Sequence, residues 1–181
     1  MKNLDKYLKN YNEKYLKLSS INEQNLKKIK KLYKLIANIK KNKKKIIIAG
    51  NGGSAAIASH FSVDMTKNGG VRCVNFNESD LLTCFSNDYG YENWVQKALS
   101  FYADKGDLVI CISSSGQSKN IINGAKFAKK IGCKVVTLTG FNKNNKVRKI
   151  GHINLWLDSK NYNLVEMTHH TWLLSIVDFI A

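Results

Sequence analysis

Apolar positions along this chain follow two periods, and the change of period marks the elements. From residue 3 to about 42 they recur every three to four positions: Leu4, Tyr7, Leu8, Tyr11, Tyr15 and Leu18, then Leu26, Ile29, Leu32, Leu35, Ile36 and Ile39. That spacing predicts amphipathic helix, either two helices or one broken helix. Ser19-Ser20 with Glu23 resembles a capping box that starts the second. The periodicity then stops. Residues 46–49 and 108–112 are continuous apolar runs, which predicts strands buried on both faces. Shorter runs at 71–76, 134–138 and 152–157 predict three more strands. Between them lie expected helices at 54–66, 79–87 (helix or turn, capped by Asn77 or Ser79), 91–102, 119–131, a short one near 146–150, and a closing helix over 161–180.

Strands that alternate with helices predict a parallel sheet with right-handed crossovers and helices on both faces. No internal repeat or low-complexity linker divides the chain, so a single domain is expected. In such sheets ligands bind at the carboxyl ends of the strands, near a switch in strand order.

Composition changes this picture little. The chain has 181 residues, 44% of them hydrophobic, which suffices for one full core. No apolar run reaches the roughly 20 residues of a membrane helix. Residues 1–7 lack the apolar stretch of a signal peptide, so a soluble cytoplasmic protein is expected. Cys73, Cys84, Cys111 and Cys133 lie in apolar surroundings without a C-x-x-C pair, and are expected to be small buried thiols. The formal charge of +16 invites a nucleic-acid reading. Arg72 and Arg148 are the only arginines, and much of the excess lies in the first 45 residues at solvent-face spacing. Nucleic acid is therefore not the expected partner.

Two strands end in small polar residues. The first passes through Gly50-Asn51-Gly52-Gly53-Ser54 into a helix, the other through Ser113-Ser114-Ser115-Gly116-Gln117-Ser118. Neither is a P-loop or a dinucleotide fingerprint. Backbone N–H groups and hydroxyls at a helix N-terminus suit one phosphate group. Among ionisable residues, His60 and Asp64 share a helix face at i and i+4. Glu166 lies three and four residues before His169 and His170 on the closing helix. Such a constellation can bind a metal or move protons. Asn87-Asp88 marks a third polar loop.

Residues 49–56 with His60-Phe61, the Ser86–Glu92 stretch and the serine loop after Gly106-Asp107 together resemble the SIS (sugar isomerase) domain of the phosphoheptose isomerase group, from about residue 20 onward. The resemblance implies a flavodoxin-like three-layer sandwich with a five-stranded parallel sheet, spanning 43–181. A helical segment, 1–42, precedes it and packs on the core or on a neighbouring subunit. It also implies a homotetramer, with a sugar phosphate as ligand. Asn51, Gly52, Gly53 and Ser54 would contact substrate; Ser113, Ser114, Ser115 and Ser118 would hold its phosphate; Asn87 and Asp88 would line the sugar. Zinc is the implied cofactor, with His60, Asp64 and Glu166 at the metal positions.

The chain departs from the pattern. Glu166 stands for a glutamine, Asp64 for a glutamate, and Leu174 for a histidine eight residues after that glutamine, so His169 or His170 is expected to take over the missing role. The implied reaction interconverts sedoheptulose 7-phosphate and D-glycero-D-manno-heptose 7-phosphate through an enediol, for heptose and surface-polysaccharide synthesis. Asp64 or Glu166 would be the base, and a closing-helix histidine the acid. The alternative is a non-catalytic SIS domain that binds a phosphosugar or a protein partner as a regulator.

Overall fold

Five parallel strands form the centre of the molecule in the order β2-β1-β3-β4-β5. The structure is a computed structural model and describes residues 3–181. The first two residues of the 1–42 segment lie outside the described residues. The strands are β1 (Ile46–Ala49), β2 (Cys73–Asn75), β3 (Leu108–Ser113), β4 (Lys134–Thr139) and β5 (Ile153–Trp156). Among the described residues seven helices accompany them: α1 (Leu4–Ser19), α2 (Glu23–Lys41), α3 (Gly53–Lys67), α4 (Ser79–Tyr89), α5 (Trp94–Tyr102), α6 (Lys119–Lys130) and α7 (Tyr162–Ile180). The parallel sheet with helices on both faces is what the sequence pattern predicts, and the five-stranded flavodoxin-like sandwich is what the resemblance implies.

Continuous apolar runs make two cores, because alternate residues of a strand face opposite sides. Ile46 and Ile48 of β1, with Leu108, Ile110 and Ile112 of β3, meet α2, α3 and α7. Ile47 and Ala49, with Val109 and Cys111, meet α5 and α6. Helix α2 belongs to the first core through Leu32, Ile36 and Ile39. Helix α1 buries no residue. It lies along α7, where Tyr15 Oη and Thr171 Oγ1 are 2.6 Å apart and Trp172 Nε1 donates to the Ser19 carbonyl at 3.2 Å. No helix among the described residues is long and apolar enough to cross a membrane.

Four local expectations need correction. The second helix does not start in a capping box. Asn22 is its cap and accepts from the Asn25 N–H at 2.8 Å, which leaves Glu23 as the first helical residue. The cap of α4 is Glu78, with no side-chain bond; Asn77 instead donates to Ala55 O and Ser59 Oγ and pins α3. Residues 146–150 form turns, not a helix. The donors that would close a helix go elsewhere: Arg148 N to the Asn145 side chain and Val147 N to Gly116 O. Cys84 is exposed, because α4 turns it outward, while the other three thiols are buried. Burial raises those three, Cys111 to about 12.

Candidate active site

Strand order reverses between β1 and β3, since β2 lies on one side of β1 and β3–β5 on the other. The crevice past their carboxyl ends is where such sheets take ligands. Both polar loops open there, one after each strand.

The first loop is a tight turn. Gly52 has φ +54°, which a glycine adopts without strain, and caps α3. The N–H groups of Ser54, Ala55 and Ala56 are already satisfied by the carbonyls of Asn51 and Gly52. Ser54 is buried. The expectation that this whole first turn offers free donors is thus narrowed to its outer edge.

The serine loop is more open to an anion. Ser118 caps α6 without a side-chain bond, so the first-turn donors of α6 keep no capping partner. Ser113 Oγ donates to Ser118 Oγ at 3.2 Å, and Ser115 Oγ accepts from Gln117 N at 3.3 Å. Ser114 is buried, and its hydroxyl has no partner in hydrogen-bond geometry.

Glu166 of α7 reaches across both loops. A methyl group on Gly53 would overlap its carboxylate, so glycine is what lets the two meet. Burial raises the Glu166 carboxyl above the usual range, and the nearby Ser114 hydroxyl opposes this in part. A carboxylate with reluctant charge, set at a ligand crevice, has the character of a general base.

The adjacent histidines are separated. His170 faces α3: its Nε2 lies 2.9 Å from His60 Nδ1, and His60 Nε2 lies 3.1 Å from Asp64 Oδ2. Of the two facing ring nitrogens, one donates and the other accepts, according to the tautomers. Burial, and then the neighbouring His60, lower the His170 pKa. Asp64 and His60 of α3 and His170 of α7 thus lie in one row of polar contacts beside the face of α7 that carries Glu166.

His169, one residue earlier, points into the core. It is fully buried, with Nε2 3.2 Å from the Thr139 carbonyl, and burial lowers its pKa to about 4. It is a neutral ring that ties α7 to the end of β4. Its folded pKa lies below the ordinary 6.5, so the unfolded chain takes the proton first. The linked stability is full above pH 6.5 and falls as the pH drops toward 4, by about 3 kcal/mol in all. His152 and His170 shift in the same direction. The share of His169 is therefore read as a difference: between pH 7 and 4 the unfolding free energy of wild type should fall more steeply than that of His169→Leu. Parallel curves would remove His169 as the source.

Asn87 and Asp88 occupy the last turn of α4 rather than a loop. They bond to each other at 3.0 Å and stand exposed, with Asp88 also near Cys84. From the segment that follows, Tyr91 reaches the first loop instead, 3.3 Å from Asn51 Oδ1.

Among the described residues, no group of three or more His, Cys, Asp and Glu is placed to hold a metal ion. His60 spends one ring nitrogen on Asp64 and the other on His170, so these groups do not converge on one point. Leu174 packs against the core and offers no donor. The donors as folded do not fit a tetrahedral zinc site.

Two residues of the site lack any signal in the sequence. Asn120, buried in the first turn of α6, pairs with Asn51. Asn145 is buried beneath Gly116. Tyr91 lies in the Ser86–Glu92 stretch, but nothing near it announces its reach to Asn51.

The SIS domain model matches residues 7–140. A phosphoheptose isomerase of Aliarcobacter butzleri is 36% identical over 147 residues, which cover 78% of this chain and 77% of that protein. One from Buchnera aphidicola is 32% identical over 163 residues, covering 87% and 80%. Among solved structures, the phosphoheptose isomerase of Neisseria gonorrhoeae superposes with a TM-score of 0.91 at 26% identity, over 99% of this chain and all of that one.

Proposed function

The chain belongs to the SIS domain family, in its phosphoheptose isomerase group, and on that premise we propose that it converts sedoheptulose 7-phosphate to D-glycero-D-manno-heptose 7-phosphate. The observation that carries the reading is the position of Glu166, held against Gly53 and beside Ser114, between a glycine turn and a hydroxyl-rich helix N-terminus.

The serine loop and the first turn of α6 take the phosphate, with Ser113, Ser114, Ser115 and Ser118 as its hydroxyls. That anchor sets the ketose end of the sugar under α7. Glu166 takes a proton from C1, and the electrons move into a C1–C2 double bond as the carbonyl oxygen becomes the second enediol oxygen. The same carboxyl then returns a proton to C2. His170 takes the hydroxyl proton from O1 and gives it up to O2, and the contact with His60 holds its ring in place. Every step uses groups of this chain. The donors present do not fit zinc, and no step passes through it.

The same reading includes a homo-oligomer. Leu4, Tyr7, Leu8 and Leu16 of α1 are exposed, and Tyr33 and Phe179 flank an apolar groove of about 460 Å³ between α2 and α7. Light scattering should return a multiple of the 20.4 kDa chain mass. A monomer would remove this part alone.

The activity is tested by incubating the purified protein with sedoheptulose 7-phosphate in D2O. NMR should show the aldose appear with deuterium at C2, and kcat/KM should fall on the acid side as Glu166 takes up a proton. Ligand-induced thermal stabilisation without any aldose would leave the protein a phosphosugar-binding module.

A further inference from the structure

We propose that Asn120 is a positioning residue of this site, which acts by fixing the amide of Asn51 so that Asn51 can only donate toward the substrate. The inference rests on the isomerase reading above and adds a role for a residue outside the loops themselves. Asn120 lies two positions past the serine loop and is 1% exposed. Its amide meets that of Asn51 at both ends: Asn51 Nδ2 donates to Asn120 Oδ1 at 3.0 Å, and Asn120 Nδ2 donates to Asn51 Oδ1 at 2.8 Å. Tyr91 Oη adds a second donor to the same Asn51 oxygen at 3.3 Å.

The consequence follows from counting groups. An amide oxygen has two acceptor sites, and an amide nitrogen has two hydrogens. Both acceptor sites of Asn51 are filled and one hydrogen is used, so one N–H remains. A freely rotating asparagine could offer the crevice either its oxygen or its nitrogen. This one offers only a donor, and an oxygen of the sugar is what it can take. A donor suits the carbonyl oxygen that gains negative charge as the enediol forms.

The same helix face also sets the remaining wall. Asn123, one turn on, donates to Glu92 O at 3.0 Å and Asn93 Oδ1 at 3.3 Å, which fixes the segment that carries Tyr91. Helix α6 therefore starts at the phosphate loop, grips the glycine loop through Asn120, and grips the Tyr91 segment through Asn123.

The test is a double-mutant cycle on Asn51→Ala and Asn120→Ala. Each single variant is expected to lower kcat/KM for sedoheptulose 7-phosphate at least tenfold. The double variant should be no worse than Asn51→Ala within about twofold, because Asn120 acts through Asn51. Asn120→Asp keeps the size and the acceptor but loses the donor, and should match Asn120→Ala. Inhibition by inorganic phosphate should stay within about twofold in all of them. Additive losses would overturn the proposal. So would phosphate inhibition that weakens in step with KM, since Asn120 would then only shape the serine loop. If wild type binds sedoheptulose 7-phosphate but does not turn it over, the isomerase reading fails, and the same cycle on calorimetric affinity still decides the pairing.

Discussion

Glu166→Gln is expected to lower kcat by about a thousandfold and leave the fold intact, in line with the ~10²–10⁴-fold contribution of a positioned proton-transfer group. The substitution keeps the shape that rests on Gly53 and removes only the basic lone pair. It also removes a carboxylate that burial disfavours, so the melting temperature should hold or rise. Phosphate inhibition should stay within about twofold of wild type, since only Ser114 of the serine loop lies beside the changed group and the new amide can still meet its hydroxyl. Asp64→Asn should cost less, because Asp64 reaches the substrate only through His60 and His170. Steady-state kinetics beside thermal melts make the check. A Glu166→Gln enzyme with full turnover would end the assignment of the base, and a larger loss in Asp64→Asn would move that role to Asp64.

Gly116→Ala should damage both stability and substrate affinity. Gly116 has φ +65°, in the left-handed region where a side chain costs about 1 kcal/mol. The new methyl would also overlap the buried side chain of Asn145. That side chain holds Gly140 O, Asn142 O and Arg148 N, and Gly116 O itself accepts from Val147 N. One methyl group thus pushes the serine loop off the turn that supports it. Together these effects should cost about 3 kcal/mol, in the range of mutations that break a buried network at a special backbone angle. Urea unfolding should show that loss, and the KM for the sugar phosphate should rise at least tenfold. Wild-type stability with wild-type KM would mean that Asn145 can move aside, and that it does not brace the loop.

What could be read from the sequence was whatever depends on near neighbours. The runs at 46–49 and 108–112 are apolar at every position, so two buried strands follow with no knowledge of their partners. The loops after them are legible for the same reason. Long-range pairing was not. Asn51 and Asn120 are 69 positions apart, and nothing near either announces the other. Spacing placed Glu166, His169 and His170 on one helix but could not say which histidine faces the site. A step of one residue turns a helix by about 100°, which sends His170 to His60 and His169 into the core. The cap of α2 was missed because Ser19-Ser20 with Glu23 reads locally as a capping box, while the bond from Asn25 N that makes Asn22 the cap shows only in the fold.

The chain's large positive charge gains a meaning from where it is missing. Lysines dominate the surface, yet the crevice residues described above are hydroxyls, amides, histidines and carboxylates, without a lysine or arginine among them. On the proposed reading, attraction at long range and grip at short range would fall to different groups. The surface would gather dianions from solution. The crevice would hold them by directed hydrogen bonds, so a product as highly charged as the substrate need not tear itself from a fixed cation to depart.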